Sequence, residues 1–232
     1  MTRFIDLSHP FHDGMPGVTG RDREGNAKPY TARIAPILTH EESRPLYQDQ
    51  SQFISNEITF QTAIGTYIDS PYVRYEDRGD VASLALPDLI LPPVVMDLRR
   101  VESGQAVGLD DLTLPEDLGG KALLVNFGWD AYYGTKDYGA YPYLHRDVID
   151  LLIARGISLL GVDTGNVDSF RDPERPAHSR LLAAGALVVE NLTGLDQLHS
   201  LELYRFYALP IRAVRVGSMP VRAFVELAEN GS

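Results

Sequence analysis

Three residues stand where an apolar, strand-like run gives way to polar chain, and each carries a group able to hold a cation or move a proton. Asp69 lies in Gly65-Thr66-Tyr67-Ile68-Asp69-Ser70-Pro71, where Gly65 and Pro71 fix the backbone around the carboxylate. His178 follows Arg175-Pro176-Ala177 at a helix start, and Glu190 ends the run Ala186–Val189. Metal sites and acid–base sites both favour such ends, because loops converge there above a rigid sheet. A carboxylate closing an apolar run, as Glu190 does, is costly unless it is paired, hydrogen-bonded or bound to a cation. Local chemistry offers an alternative for each: an Asp before Ser-Pro forms turns, a His after Pro-Ala opens a helix, and Glu190 before Asn191 can be solvated at a strand end. Of the other histidines, His12, His40, His145 and His199 lack ligand-type spacing, whereas His9, after Ile5-Asp6-Leu7-Ser8, is kept as a candidate.

The elements that must position these groups follow from periodicity. Ile58–Ile68 alternates and is rich in Ile and Thr, as a strand is. Pro92–Leu98, opened by two prolines, reads as a buried or edge strand, and Lys121–Phe127 and Ser158–Val162 read as short buried strands, the last followed by Asp163. Arg146–Arg155 places Val148, Leu151, Leu152 and Arg155 at helical spacing, with Gly156 at the C-terminal cap. Pro176 opens a short helix that Gly185 closes, and Ala186–Val189 leads as a strand into Glu190. Ile211–Val216 and Val221–Leu227 are expected to pair across a turn containing Gly217 and Pro220. Gly14–Asp49 is polar, rich in Pro and Gly and poorly periodic, so it reads as an irregular arm or lid. Helices and strands are mixed, which predicts an α/β (mixed α+β) fold in one domain.

Composition narrows the functions. The 232 residues are 44% apolar, enough to build a packed core without covalent staples. The absence of cysteine excludes disulfides, thiolate metal sites and cysteine nucleophiles. A formal net charge of −11, with scattered basic residues, argues against nucleic-acid binding and suits a solubilising surface. No segment has the length of a signal-peptide core or a membrane span, so a cytoplasmic location and a small-molecule substrate are the expectations.

The same residues carry a resemblance. The chain resembles the cyclase-like family of metal-dependent hydrolases that includes bacterial kynurenine formamidase and isatin hydrolase. Four segments match in order: Ile5–Pro10 with Gly14-Met15-Pro16; Gly65–Pro71; Gly161–Asp168; and Arg175–Leu195, which holds Pro176-Ala177-His178 and Val188-Val189-Glu190-Asn191-Leu192. The resemblance implies a single β/β/α domain over residues 1–232 and a homodimer or homotetramer. The family signature His-x-Gly-Thr-His-x-Asp-x-Pro-x-His is only partly kept. Its three histidine positions hold Ala63, Tyr67 and Val73, while Gly65, Thr66, Asp69 and Pro71 fit.

By resemblance, what survives is one half of a two-metal site: Asp69, His178 and Glu190. Two carboxylates and one imidazole form a hard ligand set, which favours manganese or magnesium and leaves zinc open through its greater general affinity. The family's acid–base histidine is also missing, a loss typically worth about a hundred- to ten-thousand-fold in rate. Tyr67 and His9 are the positional candidates to replace it, beside His178 itself; Tyr67 can equally be a packing residue. Two functional readings follow. One is a hydrolase of an amide, ester or lactone with a single metal, manganese or zinc. The other is a metal-free relative, either a cyclase- or lyase-type enzyme or a small-molecule-binding protein, in which His178 pairs with Asp69 or Glu190. An inactive structural subunit is the third and blander possibility.

Overall fold

Apolar runs without polar interruption become the buried strands. Tyr67–Asp69, Ala122–Asn126, Leu159–Val162 and Leu187–Glu190 are buried at every position, the mark of strands covered on both faces. The computed structural model describes residues 3–17, 20–21, 24, 27–28 and 30–228. Within them these strands join a nine-stranded sheet. In chain order it comprises β1 (Phe4–Asp6), β2 (Tyr67–Asp69), β3 (Ile90–Leu91), β4 (Pro93–Asp97), β5 (Ala122–Asn126), β6 (Leu159–Val162), β7 (Leu187–Glu190), β8 (Leu203–Pro210) and β9 (Ser218–Leu227). Side by side the order is β3-β8-β9-β2-β7-β6-β5-β4, with β1 added to β9. Strands β4 to β7 run parallel, and β2 sits antiparallel between β7 and β9. The class is mixed α+β, as the sequence predicts.

Alternation along these strands divides the core. Leu123, Val125, Leu160, Val162 and Val188 pack with Val148, Ile149 and Leu152 of helix α1 (Arg146–Ala154) and with Ala177 and Leu181. Leu124, Leu159, Leu187 and Val189 face the other way, onto Ile68, Phe206 and Val225. The expected helix and its glycine stop are both present, with Gly156 at φ 74°. After it, Ala177–Leu181 forms a π-helical turn, continued by Leu182–Ala184 and ended by Gly185 at φ 85°.

Two expectations are corrected. Ile58–Ile68 is not one strand: the first strand ends at Thr59, and the chain then bends at 62–63 and turns again at Gly65, φ 60°. Ser55–Thr59 pairs with Arg33–Leu38, and only Tyr67–Asp69 enters the large sheet. The hairpin partner of β9 is β8, not Ile211–Val216, which forms the connection; Ile211 and Val214 are exposed there. By contacts the chain forms two compact units, Met1–His9 with Thr66–Ser232, and Pro10–Gly65. In the second, Thr39 and Glu42 make a reciprocal capping box on the turn His40–Ser43, so part of the expected 14–49 arm is regular. Another part of 14–49 lies outside the described residues. No helix among the described residues is long and apolar enough to cross a membrane.

Candidate metal centre

The sheet register brings the candidates together. Glu190 on β7 lies directly opposite Tyr67 on β2, and Val188 opposite Asp69. Residues two apart on a strand share a face, so Tyr67, Asp69, Val188 and Glu190 point to one side. Val188 packs there against the core that includes Ala177 and Leu181, which places the turn carrying His178 over the same face. Asp69, His178 and Glu190 are all buried, and one ligand atom from each lies within 4.8 Å of the others.

Each group is held by partners outside the centre and turns one atom toward it. Asp69 Oδ1 accepts from Ser218 Oγ at 2.6 Å, on the neighbouring strand β9, and Oδ2 lies 3.2 Å from His178 Nε2. Glu190 Oε2 accepts from the Tyr67 hydroxyl, and Oε1 accepts from Val167 N at 2.8 Å while lying 3.4 Å from His178 Nε2. His178 Nδ1 is 2.7 Å from Asp168 Oδ2. With that proton on Nδ1, a neutral imidazole would present the lone pair of Nε2 to two carboxylates. Such an arrangement is repulsive unless a cation lies among them, whether a proton or a metal ion.

Burial alone would lower the pKa of His178, but Glu190, Asp168 and Asp69 outweigh it and hold the ring above its ordinary range. Glu190 is pushed up, chiefly by burial, with His178 opposing. The donor set also fits a divalent metal. Ligand atoms on a tetrahedral zinc with bonds of about 2.1 Å are about 3.4 Å apart; the two separations from Nε2 are 3.2 and 3.4 Å. Metal-bound histidines usually donate their second ring nitrogen to a carboxylate, as Nδ1 does here to Asp168.

The other candidates are placed differently. Tyr67 is buried, and burial with the nearby Glu190 and Asp69 carboxylates raises its pKa well above the ordinary value, so its hydroxyl is a fixed donor to Glu190. Tyr67→Phe is expected to cost about 1–3 kcal/mol in denaturant unfolding, the penalty of leaving a buried acceptor short of one partner. Unchanged stability would show that Glu190 does not depend on this hydroxyl. His9 does not join the cluster. Its backbone N–H donates to Thr66 Oγ1, and its ring stacks on Tyr133 with centroids 3.7 Å apart. Burial lowers its pKa, with Asp130 opposing, and Nε2 is buried without a hydrogen-bond partner. Val73, which the resemblance sets at one of the signature's histidine positions, packs on the turn after β8: a β-carbon at Gly217 would come within 2.9 Å of Val73 Cγ2. Ala63 belongs to the Pro10–Gly65 unit.

Sequence reasoning did not single out Asp168, although it lies in the acid-bearing loop Asp163–Asp168 directly after β6. Asp163 there accepts from Phe127 N at 3.0 Å and Trp129 N at 3.1 Å, tying β6 to the end of β5.

A kynurenine formamidase of Bacillus cereus is 28% identical over 176 residues, covering 73% of this chain and 78% of the relative. That of Bacillus anthracis is 28% identical over 234 residues, covering 97% of both. Isatin hydrolase A from Ralstonia solanacearum has the same fold, with a TM-score of 0.83 at 20% identity over 97% of this chain and 92% of that one. Residues 5–169 match the model of the family described as "Putative cyclase", a match that spans most of the chain and includes Asp69 and Asp168. The chain belongs to that cyclase family.

Proposed function

We propose that this chain is a metal-dependent hydrolase of the cyclase family with a single divalent cation, manganese or zinc, held by Asp69 Oδ2, His178 Nε2 and Glu190 Oε1. The observation that carries the reading is the His178 ring, whose Nδ1 is engaged by Asp168 while Nε2 faces two buried carboxylates. When bound, such a cation supplies Lewis acidity to a substrate carbonyl and makes water a better nucleophile near neutral pH. The substrate class is a small molecule with an amide, ester or lactone bond, in keeping with relatives named for a formamide and for isatin.

The chain's own groups do the remaining work. Tyr67 and Val167 N hold Glu190 in place. Ser218 does the same for Asp69. His9, whose pKa burial lowers against the opposing Asp130, is the proton acceptor proposed in place of the missing family histidine. The protein assembles as a homodimer or homotetramer, which light scattering of the purified protein tests.

A second reading uses the same contacts without metal. His178 as an imidazolium between Asp168, at 2.7 Å, and Asp69, at 3.2 Å, is a well-formed ion pair that could serve proton-transfer chemistry such as cyclisation or dehydration. Metal content separates the two. Protein purified without added metal, measured by elemental mass spectrometry, is expected to carry about one divalent ion per chain, and Asp69→Ala to carry none. Metal-free protein, even after soaking in manganese or zinc, would remove the hydrolase reading.

A further inference from the structure

We propose that Asp168 is the positioning residue of this site: it fixes the tautomer and direction of His178 so that Nε2, and not Nδ1, meets the cation. The proposal rests on the one-cation reading above. Asp168 is buried and accepts three N–H bonds from the segment that carries His178. Its Oδ1 takes Ala177 N at 2.7 Å, and its Oδ2 takes His178 N at 3.1 Å together with His178 Nδ1 at 2.7 Å. One carboxylate thus grips both the backbone and the ring of the same residue. Backbone bonds set where the Cα of His178 sits, and the ring bond sets its rotation. Together they leave a single orientation for Nε2.

The geometry of the approach explains why a carboxylate is needed. The segment enters the turn through Arg175, in the left-handed region at φ 52°, followed by Pro176. A neutral side chain of the same shape has one acceptor oxygen where Asp168 has two, and three N–H groups compete for it. Arg175 lies beside the same carboxylate, with Nε 3.5 Å from Oδ2, and its Nη2 donates to Asn166 Oδ1 at 2.6 Å. That bond ties the loop after β6 to the start of the turn. Asp168 acts through His178, whose backbone and ring it holds together.

The test is zinc binding by the full-length protein, measured by competition with a chromophoric chelator, for wild type, Asp168→Asn and Asp168→Ala. Protein carrying 15N-labelled histidine is followed by NMR in parallel. Wild type is expected to bind zinc with loss of the His178 Nε2 proton and retention of a slowly exchanging Nδ1 proton. The variants are expected to bind about 10- to 100-fold more weakly. A purely structural role would lower the unfolding midpoint but leave the zinc affinity of the folded fraction unchanged, and that outcome overturns the proposal. Retention of the Nε2 proton in zinc-loaded wild type also overturns it, and this arm decides the matter if neither variant folds. If wild type itself takes up no zinc, the one-cation reading fails and the proposal falls with it. Failure of the proposal alone shows as tight zinc binding by both wild type and variants.

Discussion

Glu190→Gln is expected to abolish stoichiometric cation binding and to lower hydrolysis by about a thousand-fold or more. Lewis-acid stabilisation of the developing oxyanion contributes several kcal/mol, and each 1.4 kcal/mol is a factor of ten. The substitution keeps size and shape. Its amide oxygen can still accept from Tyr67 or Val167, the two partners of the native carboxylate. What disappears is the negative charge that makes Oε1 a ligand. Folding should survive, because replacing a buried carboxylate by a neutral isostere also removes a desolvation cost. Near-wild-type activity in Glu190→Gln, with metal still bound, would exclude Glu190 from the ligand set.

The same variant separates the two readings of the site. Glu190 is the leading influence that raises His178 against its burial. In a metal-free enzyme Glu190→Gln would therefore lower the pKa of His178 and shift the pH profile of the rate. The maximum would move with it, without a loss on this scale.

How much of this was legible in the sequence depends on the range of the interaction. Helix α1 and its Gly156 stop were readable because spacing and cap are local. Strands β5, β6 and β7 were readable because their apolar runs are uninterrupted. Asp69 and Glu190 stood out because each closes a strand-like run, and His178 because it follows Pro176-Ala177 at a helix start. Strand β8 was missed in favour of Ile211–Val216. There, branched residues alternate with Arg212 and Arg215 and imitate a strand, yet pairing with β9 stops at Pro210. The Tyr67 hydroxyl bond to Glu190 arises from register between strands far apart in the chain, and no local pattern encodes it. Asp168 was hidden for a related reason. Its carboxylate is used by a turn ten residues onward, and only the closed loop shows that the acceptor and the ring meet.

Without a bound cation, the protein is expected to be most stable at about pH 4 and to lose stability as the pH rises from there through neutrality. His178 is held above its ordinary pKa by Glu190, Asp168 and Asp69 acting against burial. A base raised in the folded state contributes stability that is complete below its unfolded value of about 6.5 and is lost as pH climbs through the folded value. Glu190 is raised mainly by burial, and burial pushes Asp163 up to about 7 against the Phe127 and Trp129 amides. A carboxyl raised in this way favours the folded state while protonated, so both lose stability as pH rises from about 4 upward. Asp168 has the opposite sign: burial would raise it, but the His178 ring and the backbone amides hold it below its ordinary range. Its contribution is lost in acid, as pH falls through the folded value.

A metal ion reverses the alkaline part of this profile. It takes the place of the proton on His178 Nε2, and of any proton on Glu190, so binding strengthens at least about tenfold, or about 1.4 kcal/mol, per pH unit while the Nε2 proton is still bound in the metal-free form. At a zinc concentration 100 times Kd the ion stabilises by about 2.7 kcal/mol, and the increment should widen from pH 5.5 to pH 8 at fixed zinc. Thermal melts with and without zinc across that range measure it. A constant increment would mean that no proton is displaced, and hence that Nε2 is not the ligand. No increment at any pH, with the metal-free slope intact, would assign the positive charge between Asp69 and Glu190 to the imidazolium alone.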